Sequence, residues 1–216
     1  MITIPDTPQM YRIMAIDNGS NTLGLSICDL DLNTGLLHVV HSATCTAAKT
    51  TSRYGAIEEI HGARFARYRV LEEFIADTLD DYAPDNVSVE SPFCSRFHVE
   101  SFAVLRESLL VIRNVVMDHY VHLDFRLVTP TEAKRAVGIA KTKRKRGVKV
   151  DNKAIARDAV LALPDVVYHN SIDQFLLDEH CIDSIAVAKF EAKRVMDLIY
   201  QGSDRYENTR SAKTSK

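Results

Sequence analysis

The chain has 216 residues, 46% of them hydrophobic and 26% charged, with a formal net charge of −2 at pH 7. That balance is ordinary for a globular protein that buries a real core, and the length favours one domain. No apolar run approaches the ~18–20 residues of a membrane span, so a membrane partner is not expected. The amino-terminal MITIPDTPQM has no basic stretch followed by an apolar one, so no signal peptide is expected either. The four cysteines, Cys28, Cys45, Cys94 and Cys181, are far apart and form no CxxC pair. They read as free thiols of a reducing cytoplasm and argue against a zinc module.

The distribution of charge is more informative than its sum. Ten basic residues lie between Lys134 and Arg157, and Asp151 is the one acid among them. The positive field is therefore local.

In chain order, residues 11–18 (YRIMAIDN) read as a buried strand ending near Asp17, with Gly19 permitting a tight turn. Residues 22–31 and 35–45 read as two further strands, and the short turn-like links predict an antiparallel meander. An amphipathic stripe through Ile57, Ile60, Arg64, Tyr68, Leu71, Ile75 and Leu79 predicts one helix over 55–82, ended by Pro84. Residues 86–90 (NVSVE) form a short apolar strand delivering Glu90, residues 100–120 a second long helix, and residues 122–128 a fifth strand.

Thr129-Pro130-Thr131-Glu132 has the capping-box pattern of a helix start. The basic stretch 141–149 reads as a loop, Asp151 as the cap of a helix over 152–163, residues 164–177 as irregular, and residues 180–200 as a last helix. The polar segment 203–216 reads as a disordered tail beyond a single domain over 1–202. These elements predict an α/β fold: a mixed five-stranded sheet with three antiparallel strands and helices on both faces.

Three places carry acids where strands or helices end. Taken alone, Asp17 and Glu90 each read as a strand's exit to solvent. In the inferred topology, however, their strand ends are neighbours, and two carboxylates there make a hard-oxygen site for a divalent cation. In DEHCIDSIAV, His180 and Asp183 are three apart and share a helix face. Asp178 and Glu179 are explained by the positive helix start, but Asp183 among Ile182, Ile185 and Ala186 is not.

These motifs resemble the RuvC family of Holliday junction resolvases, of the RNase H-like class. AIDNGSNTLG resembles its first motif, with Asp17, Gly19, Ser20 and Gly24. VSVESPF resembles the second, with Glu90 and Phe93, and HCIDSIAVA resembles the closing motif, with His180 and Asp183. TEAKRAVGIA and VDNKAIARDAVLALP look like the family's lysine-bearing segments, and the resemblance spans residues 11–200. Two departures stand out. Asn18 replaces a usual Pro, and His180 replaces a usual Asp, which leaves metal stoichiometry open and makes Glu179 a rival ligand.

The resemblance implies a crossover junction endonuclease that hydrolyses phosphodiesters with two Mg²⁺ ions, Mn²⁺ being able to substitute. The implied catalytic and metal residues are Asp17, Glu90, His180 and Asp183, with Lys134 catalytic. The implied DNA contacts are Phe93, Arg96, Lys134, Lys141, Lys143, Arg144, Lys145, Arg146, Lys149 and Lys153, with His98 a weaker candidate. The implied partners are branched DNA and a second copy of the chain in a homodimer, and a bacterial or viral setting would place the protein in the cytoplasm.

Three rivals stay open. One is another RNase H-like nuclease acting on forks, flaps or hybrids. A second is an actin- or sugar-kinase-like ATPase, which the scarcity of glycine, 8 residues in all, argues against. The third is a DNA-binding protein without activity, which leaves the acids unexplained.

Overall fold

The run Ile13-Met14-Ala15-Ile16 is completely buried, as expected of a strand covered by helices on both faces. It forms the middle of β1 (Met10–Asp17) in the computed structural model, which describes residues 9–49, 51–93, 99–139 and 151–214. β2 (Thr22–Asp31) and β3 (Leu37–Thr46) complete the antiparallel meander. β4 (Asn86–Glu90) lies parallel to β1 on its other side, and β5 (Asp124–Val128) lies parallel to β4.

Two corrections to the sequence reading concern the connections. Residues 164–177 are not wholly irregular, because β6 (Val166–Tyr168) pairs in parallel with the outer edge of β3. The sheet therefore has six strands, in the order β5-β4-β1-β2-β3-β6. The expected single helix over 55–82 is two, α1 (Gly55–His61) and α2 (Ala63–Tyr82). They part at Gly62, whose φ of 90° interrupts the helical backbone. Ile60, read as part of the apolar stripe, is 74% exposed on the short first piece.

Alternation along β1 divides the core in two. Met14 and Ile16 point to the layer of α2 and α3 (Val99–His119), with Leu71, Ile75, Leu79 and Ile112. Ile13 and Ala15 point to the opposite layer of α4 (Pro130–Ala136), α5 (Asn152–Leu161) and α6 (Glu179–Thr214), with Val160, Ile182 and Ile185. A bulge in β3 opposite Ile27 and Cys28 switches its parity. Leu37 and Val39 face α6 before the bulge, and Ser42 and Thr44 face it afterwards. α6 is also longer than expected: residues 203–214, read as a disordered tail, continue its helix.

Both predicted caps are present. Thr129 and Glu132 form the reciprocal capping box of α4, and Asp151 accepts from the amides of Lys153 and Ala154 at the start of α5. Among the described residues no helix is long and apolar enough to cross a membrane.

Candidate active site

Parallel pairing of β1 with β4 places Ile16 opposite Val89. The next residues, Asp17 and Glu90, therefore leave the sheet side by side. Asp17 is buried and Glu90 half-buried. Burial, a hydrogen bond shared with Asp17 and the charges of Asp17 and Asp183 push Glu90 up to about 8, against the opposing pull of Lys134.

The third member comes from α6, and a glycine makes its approach possible. Gly24 is the partner of Asp17 across the β1–β2 ladder. A Cβ there would stand 2.2 Å from the carbonyl oxygen of His180. Only a residue without one lets the first turn of α6 rest directly on β2. Below this contact the hydroxyls of Ser42, Ser26 and Ser184 form a chain, at 2.8 Å and 2.6 Å, joining β3, β2 and α6. Asp178 caps the helix: its carboxylate accepts from the amide of Cys181 at 2.9 Å and from the Thr44 hydroxyl at 2.8 Å.

So fixed, α6 brings His180 Nδ1 to 2.7 Å from Asp17 Oδ2. The hydrogen bond to Asp17 holds the imidazole above its ordinary pKa, although burial works the other way. Asp183 follows one turn later. Its burial and the Asp17 charge raise it to about 6, opposed by Lys134 and His180.

Cationic groups line the other side. Lys134 on α4, Lys153 and Arg157 on α5, and Glu179, Ile182 and Asp183 on α6 line a groove of about 320 Å³. Lys153 forms an ion pair with Glu179. Arg157 is used internally: its guanidinium donates to the carbonyls of Gln174, Phe175 and Leu177 and fixes the segment that leads into α6.

The structure thus brings together Asp17, Glu90, His180, Asp183 and Lys134, with Lys153 at the same groove. Glu179, the rival ligand, is paired with Lys153, and its Oε1 is 3.8 Å from His180 Nε2. Phe93 is 72% exposed just beyond Glu90, so core packing does not account for it. Arg96, His98, Lys141, Lys143, Arg144, Lys145, Arg146 and Lys149 lie outside the described residues. Sequence reasoning did not assign Asn18, Arg157 or Ser184. Asn18 ties the end of β1 to α3 by donating to the Leu105 carbonyl at 3.1 Å, a link no local pattern reveals.

Among the described residues no group of three or more His, Cys, Asp or Glu side chains is disposed to hold a metal ion. The donors that lie near one another are nevertheless of the kind a divalent cation takes. Three carboxyl groups and an imidazole converge, and two of the carboxyls are held well above their ordinary pKa by burial and by the neighbouring carboxylates.

This crowding has a measurable consequence for stability. A carboxyl raised in the folded state binds more protons there than in the unfolded chain. Metal-free stability should therefore fall as the pH rises from about 4.5, through the Asp183 value of about 6, to the Glu90 value of about 8. The raised His180 acts in the same direction, since its contribution is lost as the pH climbs through its folded value. We expect Tm without metal to be lower at pH 8 than at pH 5.5, and Mn²⁺ or Mg²⁺ to raise it more at pH 8. Thermal melts in chelator and in each metal test this; a cation effect independent of pH would contradict it.

No protein-family model matches the sequence, and a search of curated proteins returns no match. Solved structures do match. RuvC of Thermus thermophilus in complex with a Holliday junction substrate is 17% identical, covering 86% of this chain and 95% of its own, with a TM-score of 0.60. A further Thermus thermophilus RuvC structure is 18% identical over 84% of this chain and 93% of its own, with a TM-score of 0.57. The chain has the RuvC-like RNase H fold. The yeast mitochondrial Holliday junction resolvase Ydc2 is 10% identical over 91% of this chain and 86% of its own, with a TM-score of 0.53. The RuvC-like sheet and its helices on both faces thus carry the convergent acids, with β6 as a sixth strand beyond the five read from the sequence.

Proposed function

We propose that the protein is a structure-selective DNA endonuclease that resolves four-way junctions by divalent-metal-dependent hydrolysis of phosphodiesters. The observation that carries this reading is the convergence of Asp17, Glu90 and Asp183 with His180 at the ends of β1 and β4, on a RuvC-like fold and beside a groove that Lys134 and Lys153 line. The matching structures of RuvC in complex with a Holliday junction substrate and of the Holliday junction resolvase Ydc2 support the choice of substrate.

Asp17, Glu90, Asp183 and His180 would hold the cations, Mg²⁺ in the first instance with Mn²⁺ able to substitute. Bound divalent ions supply Lewis acidity at the scissile phosphate and a nucleophile at neutral pH. The chain supplies the rest. His180 keeps the Asp17 carboxylate oriented through Nδ1. Lys134 offsets the carboxylate charge at rest and stabilises the charge that develops on the phosphate. Lys153 and the basic stretch 141–149 engage the DNA backbone, so binding weakens steeply as salt rises. Phe93, exposed beside Glu90, offers a ring to a base near the branch point. The near two-fold symmetry of a junction suits a homodimer with one site per strand.

The deciding experiment incubates the purified protein with a labelled immobile four-way junction, a Y fork and a linear duplex, in Mg²⁺ and separately in Mn²⁺, alongside Asp183→Asn. Paired symmetric nicks in the junction, absent from the duplex and lost in the variant, are expected, with Mn²⁺ at least as effective as Mg²⁺. Cutting of forks but not junctions would keep the nuclease and discard the resolvase. Inertness with both metals would discard the mechanism.

A further inference from the structure

The segment between β6 and α6 presents two adjacent apolar side chains to solvent. Phe175 is 87% exposed and Leu176 81% exposed. Their surroundings are tightly built. The Phe175 amide donates to Asp173 Oδ1 at 2.9 Å, and the Leu176 amide donates to the Asp173 carbonyl at 3.0 Å. Arg157 donates to the carbonyls of Gln174 and Phe175 at 2.9 Å and 3.0 Å and to that of Leu177. Leu177 itself is buried in the core, and Asp178 caps α6 immediately afterwards. The backbone under the two apolar side chains is thus pinned from several sides, while the side chains themselves stand largely in solvent.

The place of this pair indicates its partner. Arg157, which pins the segment, also lines the groove that holds Lys134, Lys153 and Asp183. The pair is therefore one residue removed from the groove assigned to DNA, its backbone held by a side chain that lines it. We infer that Phe175 and Leu176 form an apolar wedge that stacks on unpaired or splayed bases at the branch of the DNA substrate. The inference rests on the proposed nuclease reading and adds to it a specificity element apart from Phe93.

Area argues for bases over a protein partner. A large aromatic side chain buries about 150–250 Å², and two adjacent side chains fall short of the roughly 800 Å² per partner of a stable protein interface. A single base stacked on an aromatic ring needs no more than this pair provides, and apolar wedges between base steps are a recurring device for kinked DNA. An ordered backbone also suits the task, since a wedge that is already fixed loses little entropy on binding.

The chain contains no tryptophan, so Phe175→Trp installs a single fluorescent reporter at the tip. Its emission should be quenched on titration with an immobile four-way junction in Ca²⁺ or chelator, and much less with a linear duplex of the same length. The double variant Phe175→Ala, Leu176→Ala should bind the junction about tenfold more weakly while its duplex affinity and Tm stay those of the parent. Both positions are solvent-exposed, so folding is not expected to suffer.

If the parent prefers junctions and the double variant binds them within about twofold of it, with no change in tryptophan emission, the wedge is wrong and the nuclease reading stands. A parent with no preference for branched DNA overturns both. A double variant whose sedimentation mass halves relative to the parent assigns the pair to self-association instead and overturns the DNA contact.

Discussion

Asp17→Asn should reduce cleavage of a four-way junction by on the order of 10³-fold, a loss typical of removing a group that organises charge at a reacting phosphate. Asparagine preserves the shape and can still meet His180, but it removes the negative charge on which the site converges. The same substitution should leave junction binding intact or slightly tighter, because it takes a negative charge away from the path of the phosphates. It should also let Glu90 titrate nearer its ordinary range, since Asp17 raises Glu90 both by a hydrogen bond and by its charge. The metal-free variant should then lose less stability between pH 5.5 and pH 8 than the parent. Glu179→Gln is the informative comparison. Its carboxylate is engaged by Lys153 and partly exposed, and exposed pairs contribute about 0–1 kcal/mol. Single-turnover cleavage should stay within about fivefold of the parent. A loss as large as that of Asp17→Asn would make Glu179 the ligand in place of His180.

The contrast between these two acids shows what the sequence could and could not supply. Asp17 and Glu90 were legible because each closes a short apolar run, and a parallel arrangement of those runs sets the two ends together. Asp183 was legible because a carboxyl amid Ile182, Ile185 and Ala186 has no ordinary reason to be there. The division of labour between Glu179 and His180 was not legible, since both lie in the first turn of α6 and only the approach of the helix to β2 decides which meets Asp17. The same holds for the frame. Long apolar runs and paired caps mark β1, β4 and the starts of α4 and α5. β6 is three residues long, and what makes it a strand is the free edge of β3, a non-local fact. The break at Gly62 sits inside an otherwise continuous stripe, where a glycine is as compatible with a weak helix as with a hinge. The ties of Asn18 to Leu105 and of Arg157 to the segment before α6 join residues far apart in the chain or on separate elements, so no periodicity announces them.

Gly24 connects the frame to the chemistry, and Gly24→Ala should damage both. The methyl carbon would sit 2.2 Å from the His180 carbonyl oxygen and 2.4 Å from its carbonyl carbon. These are backbone atoms of a capped helix, so no side-chain rotation relieves the overlap. The start of α6 must move away from β2, opposed by the Asp178 cap and by the Ser26–Ser184 hydrogen bond. Overpacking of this kind costs about 1–3 kcal/mol, and each kcal/mol corresponds to roughly 2–4 °C in Tm for a chain of this size. The displacement separates His180 from Asp17 and shifts Asp183 with it. A misplacement on the order of 1 Å is enough for about a 10²-fold loss of rate. Gly55→Ala is the control: a Cβ at Gly55 meets nothing within 4 Å, so its Tm and cleavage should match the parent. Cleavage lost beyond what the drop in Tm explains, measured well below the melting range, would show that Gly24 sets the position of the site. Parent-like Tm and rate in Gly24→Ala would mean that α6 is not seated on β2 by this contact, and the account of how His180 reaches Asp17 would have to be abandoned.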